Sequence, residues 1–292
     1  MRMRRMAVLA VAGALALSAC GKEGDDSEGA APAPSAAAGV TVEGSPTFDK
    51  MTARGKVIIG VKEDQPNLGF KDPTTGEYAG FDITVAKYIA SKLGFAADKI
   101  QFTAIPSANR ETAIEGGQID YYVGTYSITD KRKEQVSFAG PYFIAGQDLL
   151  VRKDDTTITG PDTLSGKTVC SVTGSTPLQR IRDEYKGAKT IEFQKYSQCV
   201  DQMLTGQVDA ITTDDAILLG YAAQQPDKLK VVGKPFSEEK YGVGMAKDDK
   251  ALRDKVNDIL EEMETSGEWQ KNYDATLGQS GSTSTPPPLE RY

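Results

Sequence analysis

A four-residue sequence occurs twice in the chain, as Gly-Gln-Ile-Asp at 117–120 and as Gly-Gln-Val-Asp at 206–209. Each copy follows a helix-like segment and precedes a short run typical of a strand. Five residues beyond each aspartate lies a polar side chain, Thr125 in the first copy and Asp214 in the second. Small ligands bind beyond the carboxyl ends of strands in open α/β sheets, so the repeat predicts two similar lobes with facing half-sites. The alternative is that glycine and aspartate merely mark loops.

Strand and helix patterns alternate around the repeat, which is the order that parallel α/β sheets require. In the first lobe we predict strands at 56–61, 100–104 and 121–124 and helices at 81–93 and 109–115. After a strand at 147–152, we predict for the second lobe strands at 168–172, 190–193, 208–212 and 229–232 and helices at 177–185, 197–204 and 215–223. A strand at 241–245 and an amphipathic helix at 251–263 follow. Asp82 is the expected N-cap of the helix at 81–93.

This order predicts a discontinuous first lobe. Lobe 1 would comprise residues 47–149 and a return segment at 241–277, and lobe 2 would comprise residues 150–240. The chain then crosses twice between the lobes in extended form. Paired crossings of this kind form hinges that close around ligands.

The first residues carry the three parts of an export signal: three arginines, an apolar run at 6–17 and a Leu-Ser-Ala-Cys sequence that ends at Cys20. Since about 20 apolar residues are needed to cross a bilayer, residues 1–19 predict a signal peptide rather than a membrane helix. The Leu-Ser-Ala-Cys sequence resembles the lipobox of bacterial lipoproteins. That resemblance implies that Cys20 carries a lipid anchored in the outer face of the cell membrane. An ordinary signal peptide with an incidental cysteine is the alternative.

Two segments outside the lobes have the composition of unpacked chain. Residues 20–46 are rich in Gly, Ser, Ala, Pro and acidic residues, which predicts a flexible tether behind the anchor. Residues 278–292 are rich in Ser, Thr and Pro, which predicts a disordered tail.

Charge and cysteine content narrow the functional classes. The net charge of −7 argues against nucleic-acid binding, which depends on basic contacts to phosphate. Besides Cys20, only Cys170 and Cys199 remain, and an even pair in an exported protein favours a disulfide over two free buried thiols. We expect no zinc site, because the chain has no histidine and the two cysteines lack close CxxC spacing.

Several motifs in order resemble the polar amino-acid-binding proteins of ABC importers. They are Gly-Phe-Asp at 80–82, Ser-Ile-Thr-Asp-Lys-Arg at 127–132, Phe138 and Tyr142. The similarity runs from about residue 56 to residue 273. Ser-Ala-Asn-Arg at 107–110 is similar to the glutamate- and aspartate-binding members. The sequence at 170–176, with the later pair Asp214 and Asp215, resembles actinobacterial glutamate-binding lipoproteins.

The resemblance implies a periplasmic-binding-protein type II fold, in which two α/β lobes joined by a two-stranded hinge close on one amino acid. It also implies a monomer without a cofactor that captures glutamate, or a close acidic or amide amino acid, outside the cytoplasm and delivers it to ABC permease subunits. One alternative is a dehydratase on the same fold, with Glu63, Asp64 and Asp214 as candidate general acids. Another is a ligand-sensing domain.

An amino acid brings a carboxylate and an ammonium, and each needs a partner because an unpaired buried charge is costly. The resemblance assigns the α-carboxylate to Arg132, whose guanidinium can donate two parallel hydrogen bonds; a solvated arginine is the alternative. Thr125 and Ser127 should assist at the strand end. The ammonium falls to Asp214, with Asp215 as a helix-end acid.

The second lobe should complete the carboxylate site through a helix N-terminus. Ser175 and Thr176 precede Pro177, which favours a helix start with Thr176 as its cap. Free backbone N–H groups at such an end bind anions. Capping without any ligand contact is the alternative.

Recognition of the ligand side chain is expected from lobe 1. Arg110 matches the arginine of the Ser-Ala-Asn-Arg motif. Lys62 stands where glutamate- and aspartate-binding members resemble Gly-x-Arg-Glu, but lysine offers a point charge and not a fork. Gln65 falls where relatives often carry an aromatic residue, and could instead hydrogen-bond a side-chain carboxylate. Tyr126 could supply a covering ring.

Overall fold

Residues 35–292 are described by a computed structural model of the chain. The predicted signal peptide, Cys20 and the tether as far as residue 34 lie outside the described residues. The strands are β1 (Val57–Val61), β2 (Asp64–Gln65), β3 (Gly69–Lys71), β4 (Tyr78–Ala79), β5 (Ile100–Ala104), β6 (Tyr121–Tyr122), β7 (Val136–Ala145), β8 (Gln147–Arg152), β9 (Thr168–Val172), β10 (Lys189–Phe193), β11 (Ala210–Asp214), β12 (Leu229–Val231) and β13 (Glu239–Ala246). The α-helices are α1 (Pro46–Arg54), α2 (Phe81–Lys92), α3 (Arg110–Glu115), α4 (Asp130–Lys133), α5 (Thr176–Glu184), α6 (Tyr196–Leu204), α7 (Asp215–Gln224), α8 (Lys250–Thr265) and α9 (Glu268–Asp274). None of the helices in residues 35–292 is long and apolar enough to cross a membrane.

Two five-stranded sheets form the centres of two α/β lobes. In lobe 1 the strand order is β5-β1-β6-β13-β7, with β1 parallel to both β5 and β6 and with β13 antiparallel to its neighbours. In lobe 2 the order is β10-β9-β11-β8-β12, with β9 parallel to β10 and β11 and with β8 antiparallel to its neighbours. The central strands β1, β9 and β11 are almost entirely buried, as expected of strands covered on both faces. The predicted two-lobed α/β architecture is confirmed.

The hinge consists of the two long strands β7 and β13. They pair antiparallel from Val136 opposite Ala246 to Ala145 opposite Glu239. Beyond that end, the chain passes from β7 into β8 of lobe 2 and later returns into β13, which confirms the predicted two-stranded hinge. Strands β8 and β13 begin a few residues before the predicted lobe boundaries at 149 and 240.

The repeated sequence makes the same structural step in both lobes. Gly117 and Gly206 follow α3 and α6 in left-handed conformations, with φ of 65° and 76°, which only glycine adopts at no steric cost. The Asp120 carboxylate then accepts a hydrogen bond from the backbone of β1 at 2.6 Å, and the Asp209 carboxylate accepts one from β9 at 2.8 Å. Each aspartate thus ties its loop to a parallel strand of its own lobe. These residues do lie in loops, and the two loops occupy equivalent positions in the two lobes.

The chain begins to pack on lobe 1 before the predicted end of the tether at 46. The backbone N–H of Ala37 donates to the carbonyl of Ser91 at 2.8 Å, and Val42 is buried. Ser45 is the N-cap of α1, and its hydroxyl donates to Asp249 at 2.8 Å. Composition alone did not show this, because a few polar contacts can order a segment that has no core of its own.

The predicted disordered tail also differs from the structure. The backbone N–H of Glu290 donates to the carbonyl of Gly140 on β7 at 2.9 Å, and the Tyr292 hydroxyl accepts from the backbone of Phe138 at 2.8 Å. Arg291 pairs with carboxylates on α8 at 2.6 and 2.7 Å. The last residues therefore pack on lobe 1, since an existing strand and helix offer them partners that the tail itself lacks.

A disulfide joins Cys170 on β9 to Cys199 on α6, with the sulfur atoms 2.00 Å apart. Both residues are fully buried in lobe 2. The predicted pairing is confirmed, and the alternative of two free thiols is wrong.

Candidate functional site

A cavity lies between the two lobes, where the carboxyl ends of their parallel strands face each other. Six of the predicted site residues line it: Arg110, Thr125, Ser127, Ser175, Thr176 and Asp214. Five residues that were not predicted complete the lining: Ser107, Pro177, Tyr196, Thr213 and Ile217. The structure therefore brings together residues from both halves of the sequence.

The lobes are in contact around this cavity. The hydroxyl oxygens of Ser127 in lobe 1 and Thr176 in lobe 2 are 3.2 Å apart. Gly174 approaches lobe 1 so closely that a Cβ atom on it would lie 2.6 Å from Cα of Ala108, and its φ is +77°. Glycine is required at this position both by the backbone conformation and by the close approach. The two lobes are accordingly closed on each other in this structure.

Arg132 is buried, and each of its three guanidinium nitrogens has a polar partner. Its Nη1 donates to the carbonyl of Ser127 at 2.7 Å and its Nη2 to the carbonyl of Gly174 across the lobe boundary at 3.1 Å. Its Nε lies 3.3 Å from the Glu111 carboxylate. The solvated arginine considered from the sequence is wrong, because the side chain is only 10% exposed.

Arg110 points its guanidinium to the same place. Its nitrogens donate to the carbonyls of Ser107 at 3.1 Å, Thr125 at 3.3 Å and Gly174 at 3.4 Å. The Gly174 carbonyl oxygen therefore accepts from both arginines. The two guanidinium groups thus meet at the lobe boundary, and guanidinium groups bind anionic oxygens strongly.

Tyr126 lies beneath these guanidinium groups and is itself fully buried. The centre of its ring is 4.2 Å from Arg110 Cζ and 5.0 Å from Arg132 Cζ, at cation–π distance. Its other neighbours include the rings of Tyr122 and Phe138. The ring thus supports the arginines from the core side.

Lys62 adds a third buried cation, 5% exposed, whose Nζ donates to the Ser107 hydroxyl at 2.7 Å. Burial, together with the nearby Arg110 charge, lowers the pKa of Lys62 to about 7. Burial and the same neighbour lower the pKa of Arg132 to about 10. Burial is the main cause of both shifts and repulsion between the neighbouring cations adds to it, so an anion bound there would relieve that repulsion.

Asp214 ends β11 on the opposite wall. Its Oδ2 accepts a hydrogen bond from the Tyr241 hydroxyl at 2.6 Å, whereas its Oδ1 is buried and has no hydrogen-bond partner among residues 35–292. Burial, and then the charge of Glu239, raise the pKa of Asp214 to about 8. A cation beside Oδ1 would stabilise the ionised carboxylate.

Asp215 occupies a different environment from its neighbour. It is the first residue of α7, and its Oδ1 accepts hydrogen bonds from the backbone N–H of Gly146 at 3.2 Å and of Ala216 at 2.7 Å. Its carboxylate is therefore engaged at the helix start, as predicted.

The N-terminus of α5 completes the lobe 2 wall, with one correction. Ser175 is the N-cap, and its hydroxyl accepts from the backbone of Leu178 at 3.2 Å. Thr176, predicted as the cap, is instead the first helical residue, and its hydroxyl donates to Glu239 at 3.0 Å. Ser175, Thr176 and Pro177 line the same cavity as Arg110.

Thr125 is held in an unusual conformation beside Gln65. Its φ is +47°, which is uncommon for a β-branched residue. Its hydroxyl donates to Gln65 Oε1 at 3.2 Å, and its backbone N–H donates to Asp82 at 3.1 Å. The Nε2 of Gln65 is buried without a partner in the described part of the chain.

Sequence reasoning missed several residues of this site. Asp82, predicted as a helix cap, is wrong in that role, because α2 begins at Phe81 after Gly80 and Asp82 is buried inside the first turn. Ser107 could have been found, since it opens the Ser-Ala-Asn-Arg motif. Tyr196 carries no motif and reaches the cavity only through the position of α6.

A cavity between two hinged α/β lobes, with the Arg110 cation in its lobe 1 wall and the Asp214 carboxylate in its lobe 2 wall, defines a two-lobed receptor for a small charged solute. The profile of the bacterial extracellular solute-binding proteins, family 3, matches residues 57–279. The chain belongs to this family, and it is a solute-binding protein rather than an enzyme. The dehydratase alternative is not supported.

Individual relatives agree with this assignment. The glutamate-binding protein of Corynebacterium efficiens is 42% identical over 235 residues, which cover 77% of this chain and 80% of that protein. The glutamine-binding protein of Geobacillus stearothermophilus is 41% identical, over 72% of this chain and 80% of that protein. Among solved structures, an ancestral arginine-binding protein bound to arginine is similar with a TM-score of 0.71 and 38% identity, covering 76% of this chain and 97% of that one.

Proposed function

We propose that this protein captures glutamate, or a closely related acidic or amide amino acid, between its lobes and delivers it to the permease of an ABC importer. The observation that carries the proposal is the buried Oδ1 of Asp214, which lines the cavity without a partner among residues 35–292. It lies on the wall opposite two converging arginines. A ligand with an ammonium and a carboxylate on one carbon would complement both walls.

In the proposed complex the α-carboxylate binds Arg132, assisted by Thr125 and Ser127 in lobe 1 and by the α5 N-terminus at Ser175 and Thr176. The α-ammonium binds Asp214.

The proposed ligand side chain lies toward Arg110, Lys62 and Gln65. Two cations and an amide suit a second carboxylate, and the side chains of Lys62, Arg110 and Gln65 are all buried. Tyr126 supports Arg110 from below. The names of the glutamate-binding and glutamine-binding relatives are consistent with such a ligand.

The proposal includes a lipid anchor at Cys20, a monomeric state and a location on the outer face of the cell membrane. The lipobox-like sequence supports the anchor, and the extracellular character of the family supports the location.

Calorimetric titration of the protein with each of the twenty amino acids tests the proposed ligand. We expect glutamate to bind with a dissociation constant on the order of micromolar or tighter. We also expect glutamate to raise the melting temperature through mass action. Absence of heat and of thermal stabilisation with glutamate, aspartate, glutamine and asparagine alike would overturn the proposal.

Arg110→Ala should separate recognition of the ligand side chain from recognition of its α-groups. If Arg110 binds the side-chain carboxylate, the variant should lose affinity for glutamate by at least about tenfold more than for glutamine, since a charge-assisted hydrogen bond is lost only with glutamate. Titration with both ligands measures the difference. Because Arg110 and Arg132 converge on one oxygen, equal losses for the two ligands would place both arginines on the α-carboxylate instead.

A further inference from the structure

The carboxylate of Asp82 is fully buried beside the ligand cavity although it does not line it. Its Oδ2 accepts a hydrogen bond from the backbone N–H of Thr125 at 3.1 Å, and its Oδ1 accepts one from the Tyr142 hydroxyl at 2.7 Å. A buried carboxylate is costly unless hydrogen bonds compensate for its lost hydration. The group it holds is the backbone of a cavity residue.

Thr125 needs such support because its backbone is strained. With φ of +47° it adopts a left-handed conformation that disfavours a β-branched side chain. Its three polar groups are each bound by a different segment: the N–H by Asp82, the hydroxyl by Gln65 and the carbonyl by Arg110. The conformation is therefore set by its partners and not by local preference.

The Gly-Phe-Asp sequence at 80–82 explains how Asp82 reaches this position. A Cβ atom on Gly80 would lie 2.2 Å from the carbonyl oxygen of Leu68. Only glycine therefore allows the start of α2 to approach the loop between β2 and β3 that contains Leu68. The next two backbone N–H groups donate to the carbonyls of Asn67 and Leu68 at 2.8 and 3.1 Å. The centre of the Phe81 ring lies 5.4 Å from the centre of the Trp269 ring. Each residue of the motif thus fixes the first turn of α2.

We propose that Asp82 is a positioning residue for ligand binding, which holds Thr125 in its left-handed conformation and so fixes both the Thr125 hydroxyl and the carbonyl that orients Arg110. The proposal rests on the proposed amino-acid-binding function. It gives the Gly-Phe-Asp motif a role at the ligand site in addition to its place in the core.

Asp82→Ala, Asp82→Asn and Tyr142→Phe test this role by titration with glutamate and by thermal unfolding. Asp82→Ala leaves the Thr125 N–H without its acceptor, so we expect affinity to fall by about ten- to a hundredfold. Asp82→Asn should restore most of it, because an amide oxygen can accept the same hydrogen bond. Tyr142→Phe is the matched control: it removes the other bond to Asp82, and should lower the melting temperature while changing affinity by less than about threefold.

The pH dependence of affinity supplies a second measurement if Asp82→Ala does not fold. Burial raises the pKa of Asp82 to about 6, against the opposing effects of the bonds from Tyr142 and Thr125 and of the Lys62 charge. As pH falls through this value the carboxyl gains a proton and holds Thr125 more weakly. Because asparagine resembles the neutral carboxyl, the native protein should lose about as much affinity near pH 6 as Asp82→Asn loses at neutral pH, and Asp82→Asn should lack this step.

The outcomes separate this inference from the proposed function. A native protein that binds none of the candidate amino acids overturns the function itself. If the native protein binds glutamate and folded Asp82→Ala binds it equally well, only the positioning role is overturned. Identical pH profiles for the native protein and Asp82→Asn would contradict the role in the same way.

Discussion

Arg132→Ala is expected to weaken the binding of every amino acid ligand by about 30-fold to several thousandfold. Arg132 is buried, and two of its nitrogens donate to the carbonyl oxygens of Ser127 and Gly174, at 2.7 and 3.1 Å. A ligand α-carboxylate in this position would accept the same kind of paired hydrogen bonds. Truncating one partner of a buried, hydrogen-bonded charge pair costs about 2–5 kcal/mol, which corresponds to that range. Calorimetry with glutamate and glutamine measures it.

Two further variants make this result specific. Lys131→Ala removes an adjacent but exposed cation of the same helix, and should leave affinity within about threefold of native. Arg132→Lys keeps the charge but loses the planar fork, so an intermediate loss is expected. The melting temperature of each ligand-free variant shows whether the fold is retained. Unchanged affinity in a folded Arg132→Ala protein would exclude Arg132 from the site.

Asp214→Asn should have a comparably large effect, again for all amino acid ligands alike. The substitution keeps the shape of the side chain and its bond from Tyr241 but removes the negative charge that the ligand ammonium requires. Leaving that ammonium unpaired in a buried site costs about 2–5 kcal/mol. Asp215→Asn is the matched control, because the Asp215 carboxylate is bound to backbone N–H groups at the start of α7. A larger loss in Asp215→Asn than in Asp214→Asn would show that the ammonium binds Asp215 instead.

The pH dependence of binding gives an independent measure of the Asp214 charge. Since burial raises the pKa of Asp214 to about 8, much of this group is protonated at neutral pH before ligand arrives. The ammonium needs the ionised form, so affinity should fall by up to about tenfold per pH unit as pH decreases below 8. Asp214→Asn should lose this component of the profile.

Much of the fold was accessible from local patterns. Strand and helix periodicity depends on neighbouring residues, so the predicted elements agree with the structure to within a few residues at most ends. The repeated Gly-Gln-x-Asp sequence marked equivalent steps in the two lobes, because glycine and aspartate perform the same backbone task at 117–120 and 206–209. The polar tail at 278–292 was not predictable in this way, since its order comes from partners elsewhere in the chain.

The residues of the candidate site likewise fall into those that local sequence predicted and those that it did not. Arg110, Arg132 and Asp214 were found by residue type and motif, since their charges match those of an amino acid. The roles of Asp82 and Tyr126 were not predicted. Asp82 acts through the backbone of Thr125, and Tyr126 acts through its ring beneath two guanidinium groups. Neither contact leaves a periodic trace in the sequence.

By itself, the sequence determined which charges this protein possesses and the order of strands and helices that carries them. Only the tertiary structure decided that two arginines converge on the Gly174 carbonyl while one Asp214 oxygen lies opposite without a partner in residues 35–292. The physical reason is that secondary structure follows short-range preferences, whereas burial, hydrogen-bond pairing and pKa depend on atoms brought together from distant segments by closure of the lobes.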